Sequence, residues 1–144
     1  AEPSSFALSA GLFTVIGPLP VVGLTCSLGA HCGTVVRGYG LRVTNALTLI
    51  DTNRSCGTSL STSAFDGLSL PQRPQILGRD TSYSFGTPVA GPVGEGVARL
   101  CWAQGWSVTP DFHFDIGVVT VTGPRLGIRR DCLLGMPCAI PVEG

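Results

Sequence analysis

Hydrophobic and polar residues alternate over short stretches of this chain, and glycine or proline ends each stretch. Alternation with a period of two is typical of β-strands, whose successive side chains face opposite sides of a sheet. The stretches that show this pattern, and are predicted to be strands, are residues 5–18, 21–26, 34–51, 94–106 and 111–124. No stretch keeps the 3.6-residue spacing of an amphipathic helix. We therefore predict an all-β fold with little or no helix.

Proline and glycine set the expected breaks between these strands. Pro18 and Pro20 stop the first one, because proline has no backbone N–H to donate to a ladder. Gly38 and Gly40 indicate a bend, so that the third stretch forms one or two strands. Four of its residues are expected to face the core: Leu41, Val43, Leu47 and Leu49. Residues 57–95 are rich in Gly, Ser, Thr and Pro and are predicted to be an ordered excursion or a long surface loop.

One segment occurs twice in the chain. Residues 5–38 align without a gap to residues 111–144, each residue being compared with the one 106 positions later. Twelve of the 34 aligned positions are identical: Phe6, Gly11, Thr14, Val15, Gly17, Pro18, Cys26, Leu28, Gly29, Cys32, Val36 and Gly38. Several of these residues are Gly, Pro or Cys, which have backbone or covalent roles, so chance is a poor explanation. The chain therefore holds one full repeat period and about a third of another.

The repeat and the strand pattern together predict a modular architecture. At 144 residues the chain is long enough to form one hydrophobic core. Short strands joined by Gly/Pro turns, one of them carrying both cysteine and tryptophan, predict an antiparallel, immunoglobulin-like β-sandwich stapled by disulfides. We assign residues 1–32 to the end of a preceding unit, residues 33–138 to one full period, and residues 139–144 to the start of a next unit or a tail.

Composition and motifs exclude several classes of function. Charged residues are only 12% of the chain and the formal net charge is zero, so no electrostatic field attracts nucleic acid or acidic lipid. No apolar run reaches the length of about 18 residues that predicts a membrane-spanning helix. Phosphate-binding, dinucleotide-binding, zinc-protease and serine-hydrolase motifs are absent from the sequence. We therefore expect a protein with no catalytic residues and no cofactor.

Six cysteines in a Gly/Pro-rich chain indicate an oxidising compartment, and hence an extracellular or secreted protein. Spacing, and elimination for the last pair, predict three disulfides: Cys26–Cys32, its copy Cys132–Cys138, and Cys56–Cys101. Free buried thiols are the alternative. A zinc site is disfavoured, because five residues separate the repeated thiols whereas zinc motifs have two to four.

Three ionisable residues at the start of the second copy have the spacing of a metal cluster. Asp111, His113 and Asp115 lie at alternate positions and would share one face of a strand. The first copy has serine and alanine at the matching positions, so the repeat does not require a metal. We therefore expect a rim of polar residues and no metal site.

One N-glycosylation motif, Asn53-Arg54-Ser55, lies in the stretch from Asp51 to Cys56. This stretch is predicted to be a turn, because Asp and Asn side chains bond to nearby backbone amides. Asn53 is therefore a candidate glycosylation site if the source is eukaryotic.

Aromatic residues offer a second kind of candidate site. Trp102, Trp106 and Tyr83 could form a platform on which sugar rings stack. Trp102 follows Cys101 directly, and we expect it instead to pack in the core against the disulfide, as large aromatic residues do in sandwiches.

Two segments near the second copy resemble a known type of repeat. Residues 98–102 read Ala-Arg-Leu-Cys-Trp, and residues 112–124 read FHFDIGVVTVTGP. They are similar to tandem repeats of secreted or cell-surface structural proteins of dinoflagellates and other alveolates. The match covers Arg99 to Trp102 and Phe112 to Pro124, with an echo at Phe6 to Pro18. It departs at Ala103, where the family pattern has a second cysteine, so the family's disulfide connectivity is not transferred here. The resemblance implies a tandem extracellular structural or adhesive array with no known chemistry.

These features predict a non-enzymatic structural repeat of an extracellular filament, surface hair or matrix, whose partners are copies of itself. One copy of the repeated segment completes its own sheet, and the other pairs with a neighbouring unit by strand addition. Residues 5–18 are the expected donor strand, with four apolar side chains for the neighbouring unit: Phe6, Leu8, Phe13 and Val15. The alternative is a glycan- or protein-binding module of a larger surface adhesin, with Tyr83, Trp106 and residues 57–95 as the contact region.

Overall fold

Eight β-strands form within the part of the chain that the structure, a computed structural model, describes. The described residues are 11–58, 65–75, 80–90, 96–105, 111–124 and 131–139. The strands are β1 (Gly17–Pro18), β2 (Val21–Ser27), β3 (Cys32–Tyr39), β4 (Ala46–Asp51), β5 (Asp66–Leu68), β6 (Asp80–Ala90), β7 (Gly96–Ala103) and β8 (Phe114–Thr122). No helix occurs within these ranges, so the all-β prediction is confirmed.

The strands make two four-stranded sheets. One has the order β1-β3-β6-β5 and the other the order β2-β8-β7-β4. Let β1 and β2 be the two halves of a split strand A, and let β3 to β8 be strands B to G. The first sheet then has the order A-B-E-D, and the second has the order G-F-C with the β2 half of strand A beside G. These are the ABED and CFG sheets of an immunoglobulin domain. The sheets therefore have the immunoglobulin-like arrangement that was predicted.

The hydrophobic core lies between the two sheets. Its largest fully buried apolar side chains come from both of them: Val36, Tyr83 and Phe85 from the first, and Leu47, Leu49, Leu100, Val119 and Val121 from the second. Because one apolar cluster draws on both sheets, they pack face to face as a sandwich. Trp102 belongs to the same cluster, so it lies in the core as expected.

The first two strands pass from one sheet to the other. Leu19 continues the β1 ladder by donating its N–H to the Arg37 oxygen at 2.7 Å, and Pro20, which has no N–H, ends it. β2 then joins the second sheet and runs parallel to β8. This pair corrects the prediction of purely antiparallel sheets. A tight hairpin would impose the antiparallel direction, but these two strands lie far apart in the sequence and share no turn.

Residues 17–32 are part of this sandwich. β1 pairs with β3, β2 pairs with β8, and Cys26 and Cys32 are buried in the core. The sequence predicts residues 1–32 to be the end of a preceding unit, whereas residues 17–32 pair and pack in this sandwich. The described sandwich runs from Gly17 to Thr122.

The prediction of a long surface loop over residues 57–95 is wrong at two places, where β5 and β6 form. Along β6 the alternate residues Thr81, Tyr83 and Phe85 are buried, while serine occupies the two positions between them. The strand was missed because only two of its core-facing residues are large and apolar. Burial between sheets, rather than composition, makes this segment a strand.

Three smaller expectations also need correction. Val43 was expected in the core but is exposed, while Leu47 and Leu49 are buried and Leu41 packs partly against the core. The strand predicted over residues 5–18 is limited, in its described part, to Gly17–Pro18. The strand predicted over residues 111–124 begins at Phe114 and ends at Thr122.

Candidate assembly interface

The two copies of the repeated segment have different surroundings in the structure. The second copy contributes β8, which lies between β2 and β7 in the middle of a sheet. Val119, for example, is opposite Leu24 on one side and Ala98 on the other. Both Val119 and Val121 point into the core, with 0% and 1% of their surface exposed.

In the first copy, the described residues that correspond to β8 have no such neighbours. Phe13 and Val15 are the counterparts of Val119 and Val121, and they are 92% and 72% exposed. Residues 11–16 form no strand, and Leu12 among them is fully exposed. Phe6 and Leu8, the other two residues expected in the donor strand, lie outside the described residues. The same motif is therefore a core strand in one place and an unpaired apolar segment in the other.

Two glycines of the motif show the same contrast. A side chain at Gly117 would place its Cβ 2.3 Å from the Val21 oxygen, so only glycine allows β2 to approach β8 this closely. At Gly11, the counterpart, an added Cβ would meet nothing within 4 Å among the described residues. Gly11 nevertheless has a φ of 114°, in the region that favours glycine, so its backbone conformation alone accounts for this residue.

The repeated cysteine loops differ in the same sense. The disulfide forms in both copies. A hydrogen bond closes the same turn in each: Ala30 N donates to Ser27 O in the first copy, and Met136 N donates to Leu133 O in the second, both at 3.1 Å. The first loop is joined to the sandwich, where Cys26 and Cys32 are buried. The second loop is exposed throughout residues 131–139. The loop is therefore a local structure that packs only where a sandwich is present.

The chain enters and leaves the sandwich at opposite ends. At the entry end, Gly17 pairs with Tyr39, the last residue of β3. At the exit end, the N–H of Leu28 donates to the oxygen of Thr122, the last residue of β8, at 2.9 Å. β8 itself connects the two ends, because it begins beside the entry end at Phe114.

Apolar residues are exposed around the entry end. Tyr39, Val43 and Phe114 are all exposed there. Tyr39 and Phe114 line a groove of 470 Å³ together with Ile16 of the first copy. Phe114 also contacts Trp102 edge to face, with ring centroids 5.7 Å apart. Sequence reasoning missed this surface, because its residues come from three separate loops and strand ends.

The loop at the entry end is held by a buried asparagine. The Asn45 side-chain amide donates to the Gln104 backbone oxygen at 2.6 Å, and its side-chain oxygen accepts the Arg42 N–H at 2.5 Å. Asn45 is almost fully buried, so both bonds are shielded from water. The loop that carries Val43 is therefore fixed to the end of β7.

All three disulfides expected from spacing are present, and no cysteine in the described residues is free. Cys56–Cys101 lies on the outer face of the second sheet, in a small cluster with Ile50 and Phe112. The bridge therefore does not cross between the sheets. Alternation along β7 turns Trp102 away from it, so the expected packing of Trp102 against this disulfide is wrong.

The acidic and histidine residues at the start of β8 do not converge on a metal site. Asp111 and His113 precede the strand, so the three residues do not share a strand face. Asp115 forms an ion pair with Arg99 and accepts the Gly117 N–H at 3.0 Å. Within the described ranges no group of three His, Cys, Asp or Glu residues could hold a metal ion.

The remaining sequence candidates are dispersed. Asn53 is exposed in the turn after β4, where its N–H bonds to the Asp51 carboxylate at 3.0 Å. Tyr83 and Trp102 are buried, so neither offers a ring to a sugar, and Trp106 lies outside the described residues. Burial raises the pKa of Tyr83 to about 12, because the phenolate would lose its hydration.

Comparison with known proteins finds no relative of this chain. No protein-family model, no curated protein and no solved structure matches this chain significantly. Across the residues that the structure describes, no helix has the length and apolar character needed to cross a membrane. Three disulfides in so small a domain indicate an oxidising environment.

Proposed function

We propose that this chain is a non-enzymatic structural repeat of an extracellular filament, surface hair or matrix, in which units assemble head to tail. Residues 5–18 supply a β-strand to an adjacent unit. In each copy β8 already lies between β2 and β7, so the donated strand adds to an outer edge of a sheet of the adjacent unit. Main-chain hydrogen bonds along that edge bind the strand, and alternate side chains fix its register.

One observation carries this proposal: Phe13 and Val15 are exposed although their counterparts Val119 and Val121 are buried. Exposed apolar residues are common singly, but here the motif that exposes them is also a core strand of the same chain. Burying a side chain of this kind contributes roughly 1.5–3 kcal/mol. Placing both in a neighbouring sheet therefore gives the head-to-tail contact a hydrophobic driving force as well as a ladder.

The disulfides and the glycosylation motif agree with an extracellular location. Cys56–Cys101 closes a loop with a sequence separation of 45 residues and needs an oxidising compartment to form. Asn53 is exposed in its turn and accessible to glycan transfer. The alternative, a glycan-binding adhesin module, loses its candidate Tyr83 to the core.

The test uses the full-length chain with two matched variants. Phe13→Ser/Val15→Ser removes the apolar donor residues, and Val22→Ser removes an equally exposed valine of β2 that has no donor role. Assembly is followed by sedimentation velocity and by negative-stain microscopy over a range of concentrations. We expect linear assemblies for the parent chain and for Val22→Ser, and monomers for the double variant.

Thermal unfolding of the three proteins provides the control, because none of the substituted residues is buried and all three should unfold at the same temperature. If the double variant assembles as the parent does, residues 5–18 are not the donor strand. A parent chain that stays monomeric at every concentration would equally rule out assembly from this chain alone.

A further inference from the structure

The length of the folded unit equals the length of the repeat. The sandwich extends from Gly17, where β1 begins, to Thr122, where β8 ends, and this span is 106 residues. The repeat offset is also 106 residues, as the recurrence of Gly17 at Gly123 shows. In an array with this period, no residue remains between the last strand of one unit and the first strand of the next.

The residues on either side of Thr122 support a unit boundary directly after this residue. Thr122 is the last residue of β8, and Gly123–Pro124 is the copy of Gly17–Pro18, which is β1. At Gly123 an added Cβ would lie 2.7 Å from the Leu28 side chain, so the chain passes directly against the exit end. At Gly17 an added Cβ would meet nothing within 4 Å among the described residues.

The positions of the two ends determine the direction of an array. Because the chain enters at one end of the sandwich and leaves at the other, consecutive units extend in line and do not fold back. β8 has nine residues and spans the unit, which at about 3.4 Å per residue gives an advance of roughly 30 Å.

We propose that consecutive units are joined without a linker, β8 of one unit continuing directly into β1 of the next. The exit end of each unit, formed by Leu28, Gly29 and Pro88 around Thr122, then contacts the entry end of the following unit, formed by Tyr39, Val43 and Phe114. The partner that this surface fits is another copy of the same unit. The inference rests on the proposed head-to-tail function and specifies its joint.

The contact explains why apolar side chains are exposed at the entry end. A rim of water-exposed Tyr39, Val43 and Phe114 around the entering strand has no role in a solitary sandwich, whereas a preceding unit fixed at that strand would cover it. Asn45 keeps the loop of Val43 in place through two shielded hydrogen bonds, so the surface is formed before the contact is made. A joint of this kind is stiff, because a continuous strand and an apolar contact hold it together.

The experiment extends the full chain by one period. Residues 39–144 are appended directly after Gly144, which is the counterpart of Gly38, so that the new chain contains two complete periods and no foreign residue. Hydrogen exchange is measured on residues 131–139, which are exposed in the present chain. We expect their amides to exchange more slowly by roughly two orders of magnitude or more, because they become part of a second core.

A matched pair of substitutions checks that the second core copies the first. Leu28 packs against the core and Leu134 is its exposed counterpart. Leu134→Asp should leave the unfolding of the present chain unchanged, whereas in the extended chain it should abolish the new protection. Leu28→Asp should destabilise the first sandwich in both chains. Unchanged exchange at residues 131–139 after extension would overturn the assigned unit boundaries.

Small-angle X-ray scattering tests the joint. The extended chain should gain roughly 30–40 Å in maximum dimension and scatter as a rigid rod. A second version, with Gly-Ser-Gly-Ser inserted between Thr122 and Gly123, should form both sandwiches but scatter as two flexibly linked bodies. If the two versions are equally flexible, or if the directly joined units lie side by side, the linker-free joint is refuted. These outcomes are independent of assembly through Phe13 and Val15, so either proposal can fail alone.

Discussion

The same substitution at two copies of one motif should have very different effects. Val121→Ala removes two methylene-sized groups from the core, which costs about 1.6 kcal/mol in transfer free energy at ~0.8 kcal/mol per group. The space left behind adds about 1 kcal/mol at ~24 cal/mol per Å3 of cavity. Val121 is fully buried, so we expect the free energy of unfolding to fall by roughly 2–3 kcal/mol. Val15→Ala, at the exposed counterpart, should change it by less than about 0.5 kcal/mol.

Urea unfolding of the monomer, followed by tryptophan fluorescence, measures both values. Trp102 lies in the core, so its emission reports on the sandwich itself. The midpoint should shift for Val121→Ala with an unchanged slope, since the surface exposed on unfolding is nearly the same. Equal losses for the two variants would show that residues 11–16 pack within their own chain, and the reasoning for a donor strand would then be refuted.

Three further outcomes follow from buried groups and bridges. Replacing Cys56 and Cys101 by alanine should lower the free energy of unfolding by roughly 4 kcal/mol, because the bridge closes a 45-residue separation. Replacing Cys132 and Cys138 by alanine should change it by less than about 0.5 kcal/mol, because that loop is exposed. Urea unfolding measures both values. Tyr83→Phe should leave stability at pH 7 unchanged or raise it by about 1 kcal/mol, since the buried hydroxyl has no hydrogen-bond partner among the described residues. The raised pKa of Tyr83, about 12 in the folded chain against 10 as the ordinary value, means that the unfolded chain loses its proton first. Stability should therefore fall as the pH rises from about 10 towards 12, and unfolding measured against pH should show a weaker fall in Tyr83→Phe.

Local signals in the sequence predicted several parts of the fold correctly. Alternation located β2, β7 and most of β8. The spacing of the cysteines gave the three pairings, because the repeated loop brings two thiols together without help from the rest of the chain. The turn of this loop forms even where no sandwich surrounds it.

Other parts depend on contacts between distant segments. β6 reads as a polar loop in sequence, and only the position of Tyr83 and Phe85 between two sheets reveals a strand. The parallel pairing of β2 with β8 joins segments about a hundred residues apart and has no local signature. The exposed entry end gathers Tyr39, Val43 and Phe114 from separate elements, so no spacing rule could have found it.

The sequence alone determined that this protein repeats a segment, and which residues recur. It could not decide what the repetition means, because the motif that contains Val15 and Val121 has the same strand-forming pattern in both places. Tertiary structure made that decision: burial depends on the neighbouring strands, which β8 has within the described sandwich and residues 11–16 lack. The same sheets set the limits of the described sandwich, from Gly17 to Thr122, since these limits depend on hydrogen-bonded pairing between distant segments.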